Sequence, residues 1–371
     1  MKNKIELLLA MLFAAGIMLF AASVWLLIAR LPGKPEQKQA GTSPLPYSES
    51  AVCIHPEHDR DTQLCTICGE KVCHEYGSSR ICRCGKELRF TSDYFDPALW
   101  EPCEQKGSVE TLAYTTRDLN GEEHIKHLEV YLPYGYDPAE QYNVLVLLHG
   151  ANGDEHYWFK ERGYVYPWGD SPWEKFTTVF DNMIRLKICR PLIIVSPTYY
   201  LSEEMREGGT RFEDDVQQMR FEVLSDMLPA VVSRYSTYAA GPDYASLCNA
   251  RDHFGFLGAS YGGRLCCNAI LTYDLDVFSW AGAVSGLAAD VPEMNGIWNT
   301  LGFDALPVHF LYTAAGEQDP AREDTVESYA TLLAGSAKIS EANSCYVEVA
   351  EAAHEERVWD NAVYDCLQLF F

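Results

Sequence analysis

Beyond residue 100 the chain alternates between two kinds of apolar pattern. Short, near-continuous runs of Val, Ile, Leu and Phe occur at 127–133 (HLEVYLP), 143–150 (NVLVLLHG), 191–197 (PLIIVSP) and 253–260 (HFGFLGAS). Others follow at 279–286 (SWAGAVSG), 308–316 (VHFLYTAAG) and 345–351 (CYVEVAE). Runs of this kind are expected of strands buried on both faces. Helix-length amphipathic stretches lie between the later ones, as at 216–236 (VQQMRFEVLSDMLPAVVSRYS). The alternation predicts an α/β fold over 101–371, a mainly parallel sheet with helices on both faces. Reacting side chains in such a fold stand just past the carboxyl ends of strands.

A different pattern opens the chain. Residues 7–29 (LLLAMLFAAGIMLFAASVWLLIA) carry no charge. At ~1.5 Å rise per residue this run is long enough for a hydrocarbon core of ~30 Å, and predicts a transmembrane signal anchor over 5–30. The rival is a cleaved signal peptide, whose apolar region is only about 7–15 residues long. Here VWLLIA continues past the small residues at 21–23, which favours the anchor. Lys2 and Lys4 precede the run and Arg30, Lys34 and Lys38 follow it, so charge orients it weakly. The expected location is a membrane, with the large domain outside the cell. Residues 31–50, rich in Pro, Ser and Gly, read as a linker.

Residues 51–90 form a Cys/His block in which one pattern occurs twice. The first copy has Cys53, His55 or His58, then Cys65-T-I-Cys68-Gly; the second has Cys73-His74, then Cys82-R-Cys84-Gly. Zinc takes four N or S ligands in a tetrahedron, and a tight turn between close cysteines aims two sulfurs at one ion. A zinc-ribbon-like module is therefore expected. Its candidate ligands are Cys53, His58, Cys65, Cys68, Cys73, His74, Cys82 and Cys84. Cys65, Cys68, Cys82 and Cys84 serve one ion, or each copy serves its own. The competing reading is a disulfide knot. The role is structural in either case, because so short a block has no room for a substrate pocket. It is similar to short zinc-ribbon-like modules attached to many bacterial membrane proteins, which implies no particular partner.

Composition narrows the picture. The chain has 371 residues, 47% of them hydrophobic, and a formal net charge of −24. That balance disfavours nucleic acid, whose binding rests on neutralising phosphates with Lys and Arg. The 13 cysteines are an odd number, which argues against a complete disulfide framework.

The chemistry centres on GASYGG, residues 258–263. It fits G-x-S-x-G between an apolar run and a helix-compatible run, the context of a nucleophile elbow. Glycines flank Ser260 because side chains would block so sharp a turn. The N–H of Tyr261 heads the following helix and can face an oxyanion. A serine nucleophile needs a base, and the base an orienting acid, in the order Ser, Asp or Glu, His. His354, after the last apolar run, is the candidate base; His309 lies inside a strand run and reads as a core histidine. The loop EQDPAR offers Glu317 and Asp319, and Asp319 is preferred because Glu317 is nearer the strand end. The loop after 143–150, His149-Gly150-Ala151-Asn152-Gly153, offers a second oxyanion N–H, Ala151 first and Asn152 next. Trp158, Tyr199 and Tyr200 read equally as aromatic stacking surfaces or as ordinary packing.

The segments LLHGANGDEHYWF, GASYGG, AGEQD and AAHEERVWDNAVYDCLQLF together resemble those of the feruloyl esterase and acetyl xylan esterase group. That group belongs to the larger α/β-hydrolase family that includes esterase D and the mycolyltransferases. The likeness runs from about Thr111 to Phe371. It implies a serine esterase acting on feruloyl or acetyl esters of plant polysaccharide, with Ser260, Asp319 and His354 as triad and no catalytic cofactor. Tyr261 stands where the group commonly has Met, Ala353 where Gly often precedes the His, and Glu355 where Asp often follows it. The alternatives are an acyltransferase of the same fold, a general short-chain ester or thioester hydrolase, and a catalytically dead binding protein.

Overall fold

The apolar runs become seven of the eight strands of one sheet. The computed structural model describes residues 57–371 apart from 163–164, 167–168, 171–173 and 210, and no side chain from 162 to 174. The chain divides into two units, Met1–Val52 and Cys53–Phe371. The expected anchor (5–30), the linker (31–50) and Cys53 lie outside the described residues. Among the described residues no helix is long and apolar enough to cross a membrane.

The strands are β1 (Ser108–Arg117), β2 (Glu123–Leu132), β3 (Asn143–Leu148), β4 (Leu192–Ser196), β5 (Phe254–Ala259), β6 (Trp280–Val284), β7 (Phe310–Gly316) and β8 (Ser344–Val349). They join in one 8-stranded sheet in the order β1-β2-β4-β3-β5-β6-β7-β8. Only the pairs β1–β2 and β2–β4 are antiparallel; the rest are parallel. β1 was not among the expected strands. Its sequence SVETLAYTTR alternates between exposed and part-buried positions, as an edge strand does, and lacks a continuous apolar run.

Strand periodicity divides the apolar residues between two cores. Along β3, Val144, Val146 and Leu148 face one core and Leu145 and Leu147 the other. The first core takes residues from helices α2 (Phe212–Glu222), α3 (Leu228–Arg234), α4 (Tyr261–Leu265), α5 (Val291–Leu301) and α6 (Arg322–Gly335). The second is built on α1 (Thr177–Arg185, mapped ahead of these in the chain) and α7 (Glu356–Leu369). The stretch expected as one helix at 216–236 is continuous but contains a π-turn, Val223–Met227, between α2 and α3. Pro229 has no N–H to give back to the preceding turn, which accounts for the changed bonding there.

The second core also takes Tyr76, Cys82, Leu88, Phe95, Leu99 and Trp100, so the Cys/His block and the segment after it are packed into the hydrolase fold. Trp100 is 2% exposed and lies 5.5 Å from the Phe176 ring, centroid to centroid. Truncating a fully buried Trp costs about 3–5 kcal/mol. Trp100→Ala is therefore expected to lower the midpoint of thermal unfolding by several degrees. A melting curve unchanged from the parent chain would show that this segment is not part of the core.

Candidate active site

Ser260 ends β5 and caps α4 with φ 55° and ψ −119°, a left-handed conformation that side chains rarely adopt. The turn is tight because its neighbours have no Cβ. A Cβ on Gly258 would sit 2.0 Å from the Gly262 carbonyl oxygen, and one on Gly262 2.5 Å from the His149 oxygen. Backbone bonds fix the turn: Ser260 N–H donates to Val284 O at 2.8 Å, and Gly263 N–H donates to Ser260 O at 2.9 Å.

Three residues from three strand ends meet here. Ser260 Oγ lies 2.8 Å from His354 Nε2, and His354 Nδ1 lies 2.9 Å from Asp319 Oδ1. The neutral imidazole with its proton on Nδ1 satisfies both contacts: it donates to Asp319 and accepts the Ser260 hydroxyl. The Asp319 side chain is 0% exposed and that of His354 32%, so the acid is hidden while the base can be reached. Burial pushes the Asp319 carboxyl up, but bonds from His354, the Ala321 N–H and Ser285 outweigh it and hold the group below the ordinary carboxylate value. Glu317 is engaged elsewhere, accepting the Glu351 N–H at 2.9 Å. His309 bonds Asp252 at 2.7 Å, remote in sequence and partner from this group.

The loop after β3 reaches the serine. A Cβ on Gly150 would be 3.5 Å from Ser260 Oγ. His149 is fully buried and sets this loop: its Nδ1–H donates to Gly150 O at 2.7 Å, and its Nε2 accepts the Thr198 hydroxyl at 2.9 Å. Tyr199 Oη also donates to Gly150 O, at 3.2 Å. The Asn152 N–H is occupied by Tyr200 Oη at 3.3 Å, which leaves Ala151 the better of the two candidate donors. Tyr261 anchors the other side, its hydroxyl donating to Asp215 at 2.7 Å.

Some side chains here were invisible to sequence reasoning. Ser285, just past β6 with φ 51°, stabilises Asp319 and accepts the Trp359 indole N–H at 3.2 Å. Its place past a strand's carboxyl end was the only available signal. Thr198 has none. Of the three aromatic candidates, Trp158 is 0% exposed and belongs to the second core; Tyr199 and Tyr200 are buried as well. Tyr199, Tyr200, Glu204, Met205, Arg211 and Asp215 line part of a cavity of about 330 Å³ beside the loop and Tyr261. That volume is within the ~300–1,000 Å³ of small-molecule sites.

Of the candidate metal ligands, His58, His74, Cys82 and Cys84 converge on one point. Cys65 and Cys68 are not members of that group. Cys73 is turned elsewhere, its thiol donating to Cys189 O at 3.2 Å. Among the described residues the cluster thus matches neither expected grouping, the set Cys65, Cys68, Cys82 and Cys84 or one set per copy: His58 of the first copy joins three residues of the second. Short antiparallel bridges, His58 with Cys65 and Ile81 with Glu87, fold the block back on itself.

Similarity to known proteins agrees with this geometry. The structure resembles a mutant feruloyl esterase module from Clostridium thermocellum complexed with sinapinate, at TM-score 0.61 and 25% identity, covering 77% of this chain and 96% of that one. The chain has the fold and the constellation of a serine ester hydrolase. A ferulic acid esterase from the anaerobic fungus Anaeromyces mucronatus shares the fold, at TM-score 0.58 and 15% identity over 76% of this chain and 98% of that one. By sequence, endo-1,4-beta-xylanase Y of Acetivibrio thermocellus is 33% identical over 162 residues, 44% of this chain. The match spans only 13% of that protein's length. No family model matches the chain.

Burial holds the His149 imidazole down from 6.5 to about 4, so it is neutral in the fold. The unfolded chain takes up this proton as pH falls through about 6.5. The stability His149 contributes is full above that pH and is lost as pH falls toward about 4, at up to ~1.4 kcal/mol per pH unit. Denaturant titrations across this window should show the loss, and His149→Gln should flatten it. An equal slope in the variant would remove His149 as the cause.

Proposed function

We propose that the chain hydrolyses carboxylic esters through an acyl-enzyme on Ser260. The observation that carries this is the continuous bond chain from Ser260 through His354 to the buried, charged Asp319. Ser260 Oγ attacks the ester carbonyl while His354 Nε2 takes its proton. Asp319 keeps the ring in the right tautomer and stabilises the imidazolium. The Tyr261 and Ala151 N–H groups receive the oxyanion, each such donor being worth about 2.7–4 kcal/mol in the transition state. His354 then protonates the leaving alcohol. A water, deprotonated by His354, attacks the acyl-enzyme, and Ser260 leaves with its proton restored.

The preferred substrate class is a feruloyl or related phenolic ester of plant polysaccharide. The likeness to a feruloyl esterase module with sinapinate supports it, as does the sequence match to a xylanase. The apolar run at 7–29 supports attachment of the enzyme to a membrane; the large domain is proposed to lie outside the cell.

The test uses the full chain with a fluorophosphonate probe, followed by mapping of the labelled residue, then methyl ferulate, acetylated xylan and a short aryl acetate in parallel. Label on Ser260, a loss of ~10⁴-fold or more in kcat for Ser260→Ala, and preference for methyl ferulate are expected. Undiminished turnover by Ser260→Ala would end the proposal. Preference for the aryl acetate would move the substrate to short-chain esters, and product that appears only with an added alcohol acceptor would make the enzyme a transferase.

A further inference from the structure

We infer that His58 Nε2, His74 Nδ1, Cys82 Sγ and Cys84 Sγ bind one zinc ion in a closed tetrahedron. The spacing of the donor atoms carries this. His58 Nε2 and His74 Nδ1 are 3.3 Å apart; Cys82 Sγ is 3.4 Å from His58 Nε2, and Cys84 Sγ is 3.4 Å from His74 Nδ1. All four donor atoms lie within 4.8 Å of one another. Around a tetrahedral zinc with bonds of ~2.0–2.1 Å to N and ~2.3 Å to S, neighbouring ligand atoms are roughly 3.3–3.4 Å apart for N and N, and roughly 3.5–3.6 Å for N and S. The three edges match that figure.

Hydrogen bonding alone accounts for the cluster poorly. His58 Nε2 faces both His74 Nδ1 and Cys82 Sγ, and His74 Nδ1 faces both His58 Nε2 and Cys84 Sγ. A ring nitrogen has either one proton or one lone pair in its plane, so it serves one such partner well and not two. A single central cation satisfies all four donors at once. Two thiolates and two imidazoles in a tetrahedron select zinc over harder cations.

The local backbone prepares the site. Cys82-Arg83-Cys84 is the tip of a tight turn. Gly85 takes φ 83°, and its N–H donates to Cys82 O at 2.8 Å; the Cys82 N–H donates to Lys86 O at 2.8 Å. His74 is held between two links to the hydrolase fold, Cys73 to Cys189 O and Glu75 to Arg190. Cys189 and Arg190 precede β4, at the amino ends of the parallel strands, whereas Ser260, Asp319 and His354 follow carboxyl ends. Four protein ligands leave zinc no open position for substrate. The ion is therefore structural, closing the block on itself, while Cys73 and Glu75 tie it to the base of the sheet.

The test is elemental analysis of the full chain, purified without added metal or chelator. At least one zinc per chain is expected. His74→Ala and Cys84→Ser should each lose one ion per chain, and Cys73→Ser should lose none. Should the ligand variants prove insoluble, the parent chain decides: mass-mapped alkylation of Cys82 and Cys84 should be slow and should speed up at least ten-fold on adding a chelator. Less than one metal ion per chain, full retention of zinc in His74→Ala, or alkylation indifferent to chelator would overturn the assignment.

Discussion

The site depends on how closely three backbone segments can approach one another around Ser260. The serine sits in a left-handed conformation, and such strain costs on the order of 1–3 kcal/mol. It persists because the surroundings over-determine it. Gly258 and Gly262 touch within the turn, Gly262 packs on the carbonyl of His149, and a Cβ on Gly286 would meet the Ser260 oxygen at 2.1 Å. The same contacts bring the loops after β3 and β6 to the nucleophile. Bulk at any of these glycines would push apart the donors and the base together, so geometry and chemistry share one steric condition.

A second constraint holds the loop after β3 from below. The buried Lys126 ammonium donates to Glu222 at 2.5 Å and to Thr198 O at 2.7 Å; Thr198 bonds His149, and His149 bonds Gly150 O. Glu222 is also bonded by Tyr114 and Gln218. A buried ion pair adds little net stability, because desolvation offsets most of the attraction. What it supplies is direction: each member has one satisfactory arrangement, and the chain of them ends at the carbonyl beside the serine. The neutral His149 is a link in this chain, which explains why a histidine so near the nucleophile is unsuited to act as its base.

How much of this was legible follows from the range of the signals. Burial on both faces writes itself as continuous apolar runs, so β3 to β7 could be read directly, while the half-exposed β1 and the first half of β2 could not. The order of Ser260, Asp319 and His354 was readable because each lies within five residues past the end of a strand. The choice of Asp319 over Glu317 rested on two residues of spacing, and the bond from the Glu351 N–H to Glu317 gives the physical reason for the difference. Ser285 and Thr198 act through contacts across the sheet that leave no local trace. The metal cluster shows the same limit. The repeat suggested ligands grouped by copy, but fold-back of the block brings His58 to His74, Cys82 and Cys84.

The Cys/His block is more than an appendage on a linker. Its Tyr76, Cys82 and Leu88 are buried in the same core as α1 and α7, together with Phe95, Leu99 and Trp100 from the segment that follows. Thr91 donates both its N–H and its hydroxyl to the buried Asp365 of α7, which also accepts the Tyr312 hydroxyl. Without this segment α7 would show an apolar face and an acid left with the Tyr312 hydroxyl in place of three donors, and α7 is the helix that follows His354. The segment after the block thus supports the helix behind the catalytic base. The triad stands at the carboxyl ends of the strands and the Cys73 and Glu75 links stand at their amino ends, separated by the length of the strands.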